Sequence, residues 1–107
     1  MMMPFDSLPE RQSANVLKLR QMYDLLNRPY GWCKFSMQKQ TGGRTRYCLL
    51  GAASQVGLSH DSVSILLGFN SQEDTLKFND SISRRKKHVL QRIKDAIDES
   101  ISRESIR

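Results

Sequence analysis

Apolar residues recur at helical spacing towards both ends of this chain. Val16, Leu19, Tyr23 and Leu26 form one set, and Val89, Leu90, Ile93, Ala96 and Ile97 another. Steps of three and four place each set on one stripe of a helix, and a stripe of that kind has to be buried. Most of the fold must therefore be amphipathic helix around a common core. Ser7-Leu8-Pro9-Glu10 has the form of a capping box and predicts that the first helix starts near Ser7; Asn27-Arg28-Pro29 supplies its stop. The last helix is predicted from about Ser83 to about Ile101.

Between these helices the period changes. Cys33, Phe35 and Met37 alternate with Lys34, Ser36 and Gln38, the pattern of a half-buried strand, and Thr41-Gly42-Gly43 reads as the turn into a partner strand over Arg44-Thr45-Arg46-Tyr47. Leu49, Leu50, Ala52, Ala53 and Val56 then predict a short helix closed by Gly57. Ser59 predicts the cap of another, with Val63, Leu66 and Leu67 buried and an end near Gly68. Thr75-Leu76-Lys77-Phe78 reads as a short extended piece, and Asn79-Asp80-Ser81 as the cap of the last helix. The expectation is a mainly α (α+β) single domain of about four helices and one small β-hairpin, with loose ends at about 1–6 and 102–107.

A length of 107 residues suits one domain. No stretch is apolar for long enough to cross a bilayer, and Met1-Met2-Met3-Pro4-Phe5-Asp6 lacks the features of a secretion signal, so a cytoplasmic protein without membrane partners is expected. In that setting Cys33 and Cys48 are expected as reduced thiols rather than as a disulfide.

Seventeen Lys and Arg against eleven Asp and Glu leave a net charge of +6. The charge is unevenly spread: residues 84–94 contain Arg84, Arg85, Lys86, Lys87, Arg92 and Lys94 with no acid, while Asp95, Asp98, Glu99 and Glu104 follow. Cations ahead of acids oppose the helix dipole, which costs stability unless Asp80 or a partner offsets it. One reading is a solvated charged face. A second is a basic surface made by Arg84, Arg85, Lys87 and Arg92, with Arg44 and Arg46, that meets a protein or nucleic acid. A third is a homodimer with its last helices antiparallel.

Cys48 precedes a helix, where the dipole lowers a thiol's pKa; with His88 or His60 as base and Asn79 or Asp80 as orienting group, a cysteine hydrolase or transferase is the catalytic alternative. The plainer reading is a packed core thiol. Cys33, Cys48, His60 and His88 lack the close spacing of a zinc site, so no metal is expected, and no cofactor either. Gly42-Gly43-Arg44 near Arg46 would hold an anion or simply turn, and Trp32 would stack a ligand or close the core.

Trp32, Gly43, Tyr47-Cys48-Leu49-Leu50-Gly51-Ala52, Phe78-Asn79-Asp80, Val89 and Ala96-Ile97 together resemble a family of small bacterial and phage domains of unknown function. The family's pattern is Trp…Cys-x-x-Gly-Ala…Phe-Asn-Asp…Ala-Ile, and the likeness covers roughly residues 10–98. It implies a shared fold and a shared structural cluster of Trp32, Cys48, Gly51, Asn79 and Asp80, with Gly51 and Ala52 admitting a neighbouring helix and Asn79 and Asp80 capping the last one. It implies no reaction. The basic run from Arg84 to Lys87 departs from many members. The functional expectation is a small basic bacterial or phage binding or accessory protein, with nucleic-acid binding and Cys48-dependent catalysis as alternatives.

Overall fold

A computed structural model describes residues 4–105, with side chains over 14–40 and 42–103. Five helices and one hairpin follow in the order α1 (Pro4–Asn27), β1 (Gln38–Thr41), β2 (Arg44–Tyr47), α2 (Leu49–Gln55), α3 (His60–Leu66), α4 (Gln72–Asp80) and α5 (Lys86–Ser105). The protein is thus mainly α with a small hairpin, as its periodicity predicts. Helix α1 begins at Pro4, ahead of the expected Ser7 cap; the Ser7 and Glu10 side chains lie outside the described residues, as do residues 1–3 and 106–107 of the expected loose ends. Among the described residues no helix is long and apolar enough to cross a membrane.

Helices α1 and α5 run in opposite directions along each other. Lys86 reaches the end of α1, while Lys94, Ile97 and Asp98 share a groove with Arg20, Tyr23 and Asp24. Their buried stripes are Val16, Leu19, Met22 and Leu26 on one side and Val89, Ile93, Ala96 and Ile97 on the other. Met22, not the half-buried Tyr23, is the centre of the α1 stripe. Helix α2 inserts Leu49, Leu50, Ala52 and Ala53 into the same core, and α3 adds Val63.

The reversed charge order of α5 is offset in part within the chain. Lys86 Nζ donates to Asn27 O at 3.1 Å and Arg28 O at 2.6 Å, so this cation sits on the electronegative end of α1. Burial pulls its pKa below the ordinary lysine value. His88 Nδ1 accepts from Arg85 N–H at 3.0 Å, occupying the place that a glutamate takes in a capping box.

Two sequence expectations are overturned. The extended piece at 75–78 is part of α4, whose start is capped by Ser71 accepting from Asp74 N–H at 3.1 Å. The fully buried positions of α4 are Thr75 and Asn79, one turn apart, and its apolar residues, Leu76 and Phe78, are only half-buried against the core, so the most deeply buried positions are polar and set no hydrophobic period. The expected strand at 33–37 is a bent loop; pairing starts at Gln38, opposite Tyr47, and ends with Thr41 opposite Arg44. Gly42 (φ 56°) and Gly43 (φ 77°) make the two-residue turn, whose paired positive φ values match the twist of a hairpin.

Candidate functional site

Of the residues of the resemblance, Trp32, Cys48, Gly51, Asn79 and Asp80 converge on the loop 32–37. Asn79 is fully buried at the penultimate position of α4. Its Oδ1 accepts from Trp32 Nε1 at 2.7 Å and from Leu49 N–H at 3.2 Å, and its Nδ2 donates to Cys33 O at 3.1 Å and Asp80 Oδ1 at 2.8 Å. Asp80 Oδ1 also accepts from Phe35 N–H at 2.9 Å. The pair therefore does not cap the last helix, as expected from sequence. Asn79 supplies an acceptor to the opening N–H of α2, one of the donors that a helix start leaves without an internal partner. Asp80, spent on the loop, does not offset the cations of α5.

Gly51 serves the same loop. A Cβ there would lie 1.9 Å from Met37 O, so the residue admits the loop backbone, not a neighbouring helix. Met37 O accepts from Cys48 N–H at 3.1 Å, and Lys34 Nζ donates to Ser81 O and Ile82 O at 2.6 and 3.2 Å. Pinned in this way, Phe35 takes φ 66° and is 74% exposed.

Cys48 is the N-cap of α2, its Sγ accepting from Gly51 N–H at 3.4 Å. The sequence expectation of a lowered pKa fails because burial, at 1% exposure, outweighs these backbone donors and pushes the thiol up. Cys33 is also pushed up, first by burial and then by Cys48 nearby. The structure does not assemble the candidate catalytic set: His88 bonds to Arg85 N–H, His60 Nε2 lies 3.0 Å from Ser54 Oγ, and the amide of Asn79 is committed as above. Among the described residues no group of three or more His, Cys, Asp and Glu is placed to hold a metal.

The candidate binding residues fall into two groups. On the α5 side, Arg84 Nε donates to Phe78 O at 2.9 Å with its guanidinium carbon 3.9 Å from the Phe78 ring centroid, and Arg92 Nη2 meets Glu99 Oε1 at 3.2 Å. Both are tied within the chain, while Arg85 and Lys87 are exposed. On the hairpin, Arg44 and Arg46 flank Tyr30, their guanidinium carbons 5.5 and 5.0 Å from its ring centroid. The Nε of Arg46 is buried without a hydrogen-bond partner.

Tyr30 is the residue that sequence reasoning missed. It follows Pro29 in the turn after α1, which reads only as a helix stop. The turn is fixed by Gly31 N–H donating to Arg28 O at 2.9 Å, and by the closeness of Gly31 to Leu25 O, where a Cβ would stand 2.5 Å away. Tyr30 consequently takes φ 58° and is 61% exposed. Beside it an open cavity of about 680 Å³ is lined by Leu25, Arg28, Pro29, Tyr30, Gly43, Arg44, Thr45, Tyr47 and Gln55. No carboxylate, imidazole or thiol is among these residues.

No curated protein and no solved structure matches the chain. The sequence model of a family of unknown function (DUF6197) matches residues 12–99, which include α2, α3, α4, the hairpin and the whole pinned loop, and the chain belongs to that family.

Proposed function

We propose that this protein is a non-enzymatic binding protein that takes an anionic partner on a basic surface centred on Tyr30, Arg44 and Arg46. The observation that carries the reading is the cleft between the end of α1 and the hairpin. Arg28, whose Nε donates to Leu25 O at 3.1 Å, and Arg44 line it, Arg46 stands against the same tyrosine, and among the described residues no acidic side chain is in its wall. Unneutralised cations around a concavity favour an anion by focusing the local field. Exposed Arg85 and Lys87 would add to the long-range attraction; Arg92, paired with Glu99, would add less. The Cys48 alternative has less behind it, since a buried thiol with a raised pKa is a poor nucleophile at neutral pH.

The test is a salt series of anisotropy titrations with labelled nucleic acid and with an acidic polypeptide. The reading expects the logarithm of the affinity for at least one of them to fall linearly with the logarithm of salt concentration, and Arg44→Gln and Arg46→Gln to weaken binding while Lys94→Gln does not. Binding that ignores both salt and the two arginines would sink it.

A further inference from the structure

We infer that the Tyr30 cleft takes an unpaired nucleobase together with its phosphate, an inference that rests on the anion-binding reading above and names its ligand. Charge alone does not separate a nucleic acid from an acidic protein, because carboxylates and phosphates are both met by guanidinium groups. The tyrosine separates them. Its ring stands out from the end of α1 at φ 58°, an angle that non-glycine residues adopt at a cost, and the turn around Gly31 holds it there. Two guanidinium groups, planar like the ring, lie within 5.5 Å of its centroid. With both guanidinium groups over the ring, the cluster is a stack of planar groups on which a base can add its own π-face, against the guanidinium plane or the ring, while the arginines reach the adjoining phosphate. A carboxylate could accept from the phenol hydroxyl but makes no use of the ring face.

The shape of the cleft points the same way. A concavity of about 680 Å³ is of the size that holds one small ligand unit, and its wall offers Thr45 and Gln55 as neutral hydrogen-bonding groups beside Arg28 and Arg44. A duplex keeps its base faces stacked inside, so only an unpaired base reaches such a platform. With no carboxylate, imidazole or thiol among the described residues of the wall, the cleft would bind without turning its ligand over.

The experiment compares a short labelled single strand, an abasic strand of equal length, the matching duplex and a mononucleotide, each titrated at low salt against the wild type, Tyr30→Ala, Tyr30→Phe and Arg44→Gln. We expect the base-bearing strand to bind about tenfold more tightly than the abasic one. Tyr30→Ala should remove about that factor from the base-bearing strand alone, Tyr30→Phe should keep it, and Arg44→Gln should weaken both strands. A mononucleotide that competes as well as the strand identifies a free nucleotide as the source of the unit; a strand that binds far better identifies single-stranded nucleic acid. Equal binding of abasic and base-bearing strands with no effect of Tyr30→Ala, or preference for the duplex, overturns the inference and leaves the basic cleft standing. If no nucleic-acid probe binds but the acidic polypeptide does, the inference falls and the anion-binding reading survives. Failure of every probe overturns both.

Discussion

Two aromatic residues of this protein sit at left-handed backbone angles, Tyr30 at φ 58° and Phe35 at φ 66°, and their surroundings differ in one respect that matters. Around Phe35 the polar groups are matched: Asn79 uses its oxygen on two donors and its amide nitrogen on two acceptors, Asp80 takes the Phe35 N–H, and Lys34 covers two carbonyls. Around Tyr30 guanidinium groups meet a ring face, and the buried Nε of Arg46 has no partner. A network with its partners in place makes one conformation unique; a concave set of charges without counter-charges is suited to something outside the chain. Trp32, Cys48, Gly51, Asn79 and Asp80 all belong to the first region, so the resemblance to the family is carried by architecture. Gly43 and Tyr47 alone of the pattern reach the cleft, as turn and wall.

The largest expected effect is in the pinned loop. Asn79→Ala removes the acceptor of Trp32 Nε1 and Leu49 N–H and the donor to Cys33 O, and each buried group left alone costs about 1–3 kcal/mol. A loss of about 4 kcal/mol is expected, read as a lowered urea midpoint with an unchanged slope. A loss under about 1 kcal/mol would show that water replaces the amide and would break the contrast. Gly51→Ala comes next, at about 3 kcal/mol, because the atom that its methyl would meet is backbone and yields little. The double variant should lose less than the sum, since both changes release the same loop.

Substitution of the left-handed residues sharpens the comparison. Tyr30→Gly and Phe35→Gly each relieve the angle, and after the greater freedom that glycine gives the unfolded chain a gain of about 0.5 kcal/mol is expected from each. Thermal melts should therefore leave both variants at least as stable as the parent, while Tyr30→Gly alone loses the ligand. Stability lost by about 1 kcal/mol or more in Tyr30→Gly would mean that the ring packs instead of binding.

The contrast also explains what could be read in advance. Helices α1, α2, α3 and α5 and the Gly42-Gly43 turn were legible because their buried faces are apolar or their φ values demand glycine. Helix α4 was not, since Thr75 and Asn79 form its buried face and only Ser71 with Glu73 and Asp74 announces its start. Asn79 and Asp80 are capping types, but a capping residue names a hydrogen bond and not the segment that folds back to receive it: Asn79 meets the first N–H of α2, and Asp80 the Phe35 N–H, instead of the last helix. Alternation at Cys33, Phe35 and Met37 mimics a strand, yet it arises from a loop bent over Gly51. The cleft was half visible: Arg44 and Arg46 stand in a readable hairpin, whereas Tyr30 reaches them only through the turn after α1.

The smallest effect shows only in alkaline solution and concerns the thiols of Cys33, in the loop, and Cys48, at the cap of α2. Burial raises the pKa of Cys33 and Cys48 above the ordinary thiol value of 9.0, so over the range above that value the folded protein keeps protons that the unfolded chain has released. The associated stability is fully present below pH 9.0 and is lost as pH climbs through the raised values. Urea midpoints of the parent should hold steady from neutral pH to that point and then fall, and Cys48→Ala should flatten part of the fall. Ligand affinity in the same range should not follow the thiols, for neither cysteine lines the Tyr30 cavity. If affinity tracked the Cys48 titration rather than the stability curve alone, loop and cleft would be one coupled unit, and the division between a closed network and an open site would fail.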